Sequence, residues 1–104
     1  MDFQYKYSPE AKTDLLGAIA YYIEEIEEPQ ISERLIKLMM KKVNLICENP
    51  YLYPKHHNEK LASLEIRFAT VWDYLILYVP DDDTKTINIL RIVHGKRDLT
   101  SIIE

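Results

Sequence analysis

Thr86-Ile87-Asn88-Ile89-Leu90-Arg91-Ile92-Val93-His94-Gly95-Lys96-Arg97-Asp98 reads as a buried β-strand that stops abruptly in a histidine and a run of charge. Side chains in a strand alternate between faces, so apolar residues at both parities mark a strand covered on both sides. Arg91 interrupts that apolar run, and His94, Lys96 and Arg97 follow at its end. The stretch therefore gathers basic groups at one edge of a sheet, where an anion or an acidic partner chain could be held. Plain solvation of a strand end is the alternative reading.

Working outward, Tyr74-Leu75-Ile76-Leu77-Tyr78-Val79 is a second richly apolar strand, joined to the first by the turn Pro80-Asp81-Asp82-Asp83-Thr84. Before it, Trp72-Asp73 turns the chain out of a half-buried strand in which Leu64, Ile66 and Phe68 alternate with Glu65 and Arg67. Connections this short make the three a β-meander. Residues 51–63 read as a loop held by Pro54 and containing Lys55-His56-His57-Asn58-Glu59-Lys60.

The first half has helical periodicity. Ser8-Pro9-Glu10 supplies an N-cap, a proline at the first helical position and an acid in the first turn. Ala11, Leu15, Ala18, Tyr22 and Ile26 then share one face, widened by Leu16, Ile19 and Ile23. Glu24-Glu25-Ile26-Glu27-Glu28 closes this helix at the end its dipole disfavours for acids, and Pro29 breaks it. A second helix runs from about Gln30 to Glu48 with Ile31, Leu35, Leu38, Met39, Val43 and Ile46 as its stripe, and Asn49-Pro50 ends it. So short a connection makes the pair an antiparallel hairpin. Phe3, Tyr5 and Tyr7 alternate with Gln4 and Lys6 as a first strand, and the tail from Asp98 to Glu104 reads as a short helix. The expected fold is α+β: an N-terminal strand, then a helical hairpin packed on a small antiparallel sheet, in the order β-α-α-β-β-β with a short C-terminal helix.

The 104 residues make one domain, residues 1–104. A chain of this size buries roughly 65% of its unfolded surface, enough for one core. A single cysteine, Cys47, excludes an internal disulfide, and its neighbours Val43 and Ile46 make it a small buried hydrophobe. Asp2, Lys6 and Glu10 interrupt any signal-peptide pattern, and no apolar run reaches transmembrane length, so a cytoplasmic protein without membrane contact is expected. The formal charge of −4 argues against a protein that grips nucleic acid with a strong positive field. Any anion site is local: residues 91–98 are net +2 on an acidic body.

His56-His57 does not make a metal site, because adjacent side chains point apart and no further ligand spacing accompanies them. There is no glycine-rich phosphate loop, and Ser and Cys carry no local nucleophile signature. No cofactor is expected. The remaining candidate chemistry is a meeting of Arg67, Arg91, His94, Lys96 and Arg97, which needs the first and third meander strands to lie side by side. Guanidinium forks would then bind phosphate or carboxylate, and His94 could shuttle a proton.

Ser8-Pro9-Glu10-Ala11 with Asp14-Leu15 and Tyr21-Tyr22, the helix ending at Asn49-Pro50, Arg67 in a strand, and Tyr74-Leu75-Ile76-Leu77-Tyr78 leading to Arg91-Ile92-Val93-His94-Gly95-Lys96-Arg97-Asp98 occur here in that order. In this the chain resembles the RelE/ParE family of toxins from type II toxin–antitoxin modules, which serve in plasmid stabilisation and growth arrest. The resemblance spans nearly the whole chain and implies the same fold. It also implies a cognate antitoxin whose C-terminal segment wraps the toxin. The His-Gly-Lys-Arg-Asp ending resembles the ParE branch, which implies inhibition of DNA gyrase without catalysis. The alternatives are a RelE-like endonuclease that cuts mRNA on the ribosome, or an inactive member that only binds antitoxin. Under the nuclease reading Arg67, His94 and Arg91 would be catalytic. Under the inhibitor reading Arg91, Lys96, Arg97, Tyr74 and Tyr78 would contact target or antitoxin. The absence of a basic residue after Tyr78, where Val79-Pro80 stands, and of any later tyrosine departs from the nuclease pattern. Assembly as a homodimer or as a toxin–antitoxin hetero-oligomer stays open.

Overall fold

Ser8 sets the point where the first strand becomes the first helix. Its hydroxyl accepts the Ala11 N–H at 2.9 Å and donates to the Leu90 carbonyl at 2.7 Å, so one side chain caps the helix and ties it to the last strand. The computed structural model describes residues 2–95, and the expected C-terminal helix lies outside them. The elements are β1 (Gln4–Tyr7), α1 (Pro9–Ala20), a wide π turn (Tyr21–Glu25), α2 (Pro29–Glu48), α3 (Glu59–Ser63), β2 (Arg67–Val71), β3 (Tyr74–Asp81) and β4 (Thr86–His94).

The sheet order is β1-β4-β3-β2. The meander pairs antiparallel as expected, but β1 lies parallel to β4, from Gln4 opposite Thr86 to Tyr7 opposite Ile89. The sheet is therefore mixed, not purely antiparallel. The chain leaves β1, crosses the whole hairpin and two strands, and only then returns as β4; so long a crossover permits parallel pairing.

α2 buries Leu35, Met39, Val43 and Ile46 along one stripe, and α1 buries Ala11 and Ala18. They cover a sheet face carrying Ala69, Val71, Ile76, Tyr78, Ile87, Ile89 and Ile92. The spacing of the last three breaks strict alternation because β4 carries a bulge. Tyr78 faces Ile89 while Leu77 already faces Arg91, which leaves Leu90 as an extra residue. Leu90 and Val93 consequently join Leu61, Ile66 and Leu77 in a second cluster apart from the first.

Two boundaries differ from the periodicity. The first helix changes to the wider π geometry at Tyr21, where the Ile26 N–H reaches the Tyr21 carbonyl at 3.1 Å. It ends at Glu27, whose φ of 59° is left-handed, with Glu28 N–H closing on the Tyr22 carbonyl at 2.9 Å. The expected loop contains α3, capped by Asn58, whose side chain accepts from the N–H groups of Lys60 and Leu61. Glu65, with φ 63°, terminates α3 and delays the next strand to Arg67. The tight β2–β3 turn holds Trp72 at φ 52°. For an L-residue that conformation costs roughly 1–2 kcal/mol. Among the described residues no helix is long and apolar enough to cross a membrane.

Candidate functional site

β1 stops at Tyr7 while β4 continues past it, so the outer side of β4 must find other partners. α1 provides them. Ser8 N–H donates to the Ile89 carbonyl at 2.9 Å, its hydroxyl takes Leu90, and the Asp14 carboxylate accepts the Ile92 N–H at 2.9 Å. The same carboxylate receives Arg91, with Nε to Oδ2 at 2.7 Å and Nη2 to Oδ1 at 3.0 Å. That two-point contact holds the guanidinium firmly charged, raising its pKa mainly through the hydrogen bond to Asp14.

Beyond this seal a groove of about 500 Å³ opens between α1, the π turn and the ends of β3 and β4, lined by Gly17, Tyr21, Tyr22, Tyr74 and His94 beside Asp14. A Cβ on Gly17 would meet nothing within 4 Å, so packing inside the chain does not demand a glycine there. Tyr21 and Tyr22 meet edge to face at 5.2 Å, and Tyr22 meets Trp72 at 6.1 Å. Burial and a hydrogen bond with Tyr22 push the Tyr74 phenol up to about 12, so it stays protonated at neutral pH. His94 is exposed, with its ring edge-on to Tyr74 at 6.1 Å. Gly95 follows because its backbone lies close to β3: its N–H donates to the Asp73 carbonyl at 2.8 Å, and a Cβ would sit 3.3 Å from that oxygen. Such a groove suits an aromatic- or aliphatic-bearing segment better than an anion.

The family model for the ParE toxin of the type II toxin–antitoxin system parDE matches residues 5–99. The chain belongs to the ParE toxin family. It is a toxin of the type II toxin–antitoxin class. The toxin is similar in structure to a chain of the chromosomal ParDE system from P. aeruginosa, with 17% identity, a TM-score of 0.71 and coverage of 90% of this chain and 97% of that one. A chain of the RelBE2 toxin–antitoxin complex from Mycobacterium tuberculosis is similar at 21% identity and a TM-score of 0.62, covering 90% of this chain and 99% of that one. No curated protein matches the toxin significantly.

The basic residues singled out from the sequence do not converge. Arg67 on β2 faces Tyr78 on β3, which in turn faces Ile89 on β4, so a whole strand separates Arg67 from Arg91. Arg67 Nη1 donates to the Tyr53 carbonyl at 2.7 Å, and its guanidinium lies 4.8 Å from the Tyr51 ring centroid, fastening the loop after α2. Arg91 is held by Asp14 on α1. His94 sits opposite Tyr74, at the far end of β3 from Arg67's partner Tyr78. Lys96 and Arg97 lie outside the described residues. Tyr74 does border the groove, but Tyr78, expected at a binding surface, is completely buried and donates its hydroxyl to the Pro50 carbonyl at 3.0 Å. Tyr78 is a strut of the core: it shares the helix-covered face with Tyr74 but lies beneath the loop at Pro50, and desolvation raises its phenol to about 12.

Sequence reasoning missed Asp14, Gly17 and the Tyr21–Tyr22 pair as parts of a site. A signal for Asp14 exists. It stands between Ala11 and Ala18 on the buried face of α1, and an acid on an apolar stripe calls for a cation such as the otherwise unexplained Arg91. Among the described residues no group of three His, Cys, Asp or Glu side chains is placed to hold a metal ion.

Proposed function

We propose that this toxin arrests growth by binding and inhibiting DNA gyrase, that it cleaves no substrate, and that its cognate antitoxin silences it in the cytoplasm through a C-terminal segment. The observation that carries the reading is the separation of Arg67 from Arg91, each tied to a different structural partner. A nuclease needs basic and acid–base groups converging on one phosphate. Here the groups that could do so face different anchors, while an aromatic groove opens nearby, the kind of surface that recognises a protein.

Two assays run side by side test the proposal. Purified toxin added to gyrase should inhibit DNA supercoiling, and 5′-end mapping of mRNA minutes after induction should show intact messages. New cuts inside translated codons with supercoiling untouched would overturn it in favour of a ribosome-dependent endonuclease. Neither effect, with antitoxin binding retained, would make the chain an antitoxin-binding module alone.

A further inference from the structure

Two local choices in the first helix run against helix stability, and both border the groove at β4. Gly17 stands in the helix interior where a Cβ would meet open space, although alanine would hold the helix better. At Tyr21 the helix widens into the π turn, a geometry that is rare and concentrated at functional sites. We propose that this groove receives an arginine side chain of the toxin's target, held between the tyrosine rings and the acids of the π turn. The inference rests on the reading of gyrase as that target and specifies how the toxin grips it.

The walls are aromatic. The π turn sets Tyr21 and Tyr22 edge to face at 5.2 Å, and Tyr22 meets Trp72 in the same way at 6.1 Å. Edge-to-face contacts leave ring faces uncovered, and Tyr21 and Trp72 expose 47% and 41% of their surface. Tyr74 closes the far wall, with Ala18 and Ile92 between. An arginine suits both parts of this lining. Its aliphatic stem lies along apolar side chains, and its flat, weakly hydrated guanidinium stacks on a ring face. The bare backbone at Gly17 leaves the depth that such a stem needs.

Charge selects a cation over an anion. Glu24, Glu25, Glu27 and Glu28 are all exposed beside Tyr21 and Tyr22, and the last turn of the helix holds no basic residue. The helix ends there, so its free carbonyls add to the negative field. Asp73 contributes from the β2–β3 turn, close enough to help raise the Tyr74 phenol. Arg91, the guanidinium beside the groove, is already matched by Asp14. Acids at a helix C-terminus cost stability in the free chain, and an incoming cation offsets that cost. A second copy seated here across a two-fold axis would bring the same glutamates against one another.

The test titrates purified gyrase with toxin variants and reads both binding affinity and inhibition of supercoiling. Tyr21→Leu keeps apolar bulk but removes the ring face. It should weaken binding by about fivefold or more, and Tyr21→Phe, which restores the ring, should recover the loss. Glu24→Gln with Glu25→Gln keeps the shape without the charge, and should weaken binding and flatten its dependence on salt. Each variant should keep its affinity for the antitoxin and a thermal midpoint no lower than that of the wild type. Gyrase affinities within about twofold of wild type for Tyr21→Leu and the double glutamine variant would overturn the proposal and leave the gyrase reading intact. A loss that Tyr21→Phe does not recover, or a double glutamine variant that binds as wild type, would mean an uncharged anchor and overturn it too. Antitoxin affinity lost together with gyrase affinity, at an unchanged midpoint, would assign the groove to the antitoxin and overturn it. Self-association of free toxin that the variants abolish would assign it to a second copy, with the same consequence. A wild-type toxin that does not bind gyrase would overturn both readings.

Discussion

Arg91 on β4 and Asp14 on α1 stand 77 residues apart in the chain and meet in a two-point ion pair, with N–O distances of 2.7 and 3.0 Å. Their side chains are 17% and 14% exposed, so the pair is well shielded from water. The same carboxylate accepts the Ile92 N–H, which makes Asp14 the clamp between the first helix and the last strand. Arg91 is therefore part of the scaffold before it can be part of any binding edge.

Removing one partner of such a pair leaves the other charge largely shielded from water and unmatched. Asp14→Ala should destabilise the toxin by about 3 kcal/mol, read as a lower urea midpoint, whereas Asp14→Asn keeps an acceptor for Ile92 and should cost less. Equal stability of wild type and Asp14→Ala would show that the clamp contributes nothing net. Arg91→Glu sets two carboxylates together, so lost antitoxin binding in that variant would report on folding.

Gly17→Ala should act in the opposite direction. The added methyl meets open space, and alanine is favoured over glycine inside a helix by about 1 kcal/mol. A raised thermal midpoint is expected. If growth arrest weakens in the stabilised variant, the glycine serves close approach of a bound partner; unchanged arrest would take the floor of the β4 groove out of target recognition.

His56 gives the fold a pH dependence. The ring is 4% exposed, packs against Phe68 at 5.1 Å, and its Nδ1 accepts the Asn58 N–H at 3.0 Å. Burial first, and the neighbouring His57 second, lower its pKa below the ordinary 6.5. A group whose pKa is depressed on folding takes up its proton first in the unfolded chain. The His56 contribution is thus fully present above about pH 6.5 and is lost as the pH falls toward the folded-state value. Urea unfolding compared at about pH 7.5 and about pH 5.5 should show a drop that His56→Asn reduces, since asparagine offers an acceptor without titrating. A drop of the same size in both proteins would assign the effect elsewhere. Glu65, held low by Lys55, titrates well below this window.

Much of the fold was legible because its signals are short-range. The Leu35–Met39–Val43–Ile46 stripe, the Ser8-Pro9 helix start and the Tyr74–Val79 strand each depend on residues within a turn or two of one another. The same locality misplaced the start of β2, because the left-handed Glu65 outweighs the alternation of Leu64, Ile66 and Phe68. At the site, Tyr74 was readable as a surface aromatic and Tyr78 was not distinguishable from it. Both lie at the same strand parity, and only the loop packed over the far end of β3 decides which one is covered.

By itself, then, the sequence determined the helical hairpin, the meander and the family, since periodicity, capping and motif order are properties of neighbouring residues. Only the tertiary structure decided that β1 pairs parallel with β4, that a bulge at Leu90 re-aims the strand, and that Arg91 belongs to Asp14 while Arg67 belongs to Tyr53. The physical reason is that strand order and long-range ion pairing are settled by the packing of the whole sheet against the hairpin. No stretch of local pattern specifies which distant carboxylate or carbonyl that packing brings within reach of an arginine.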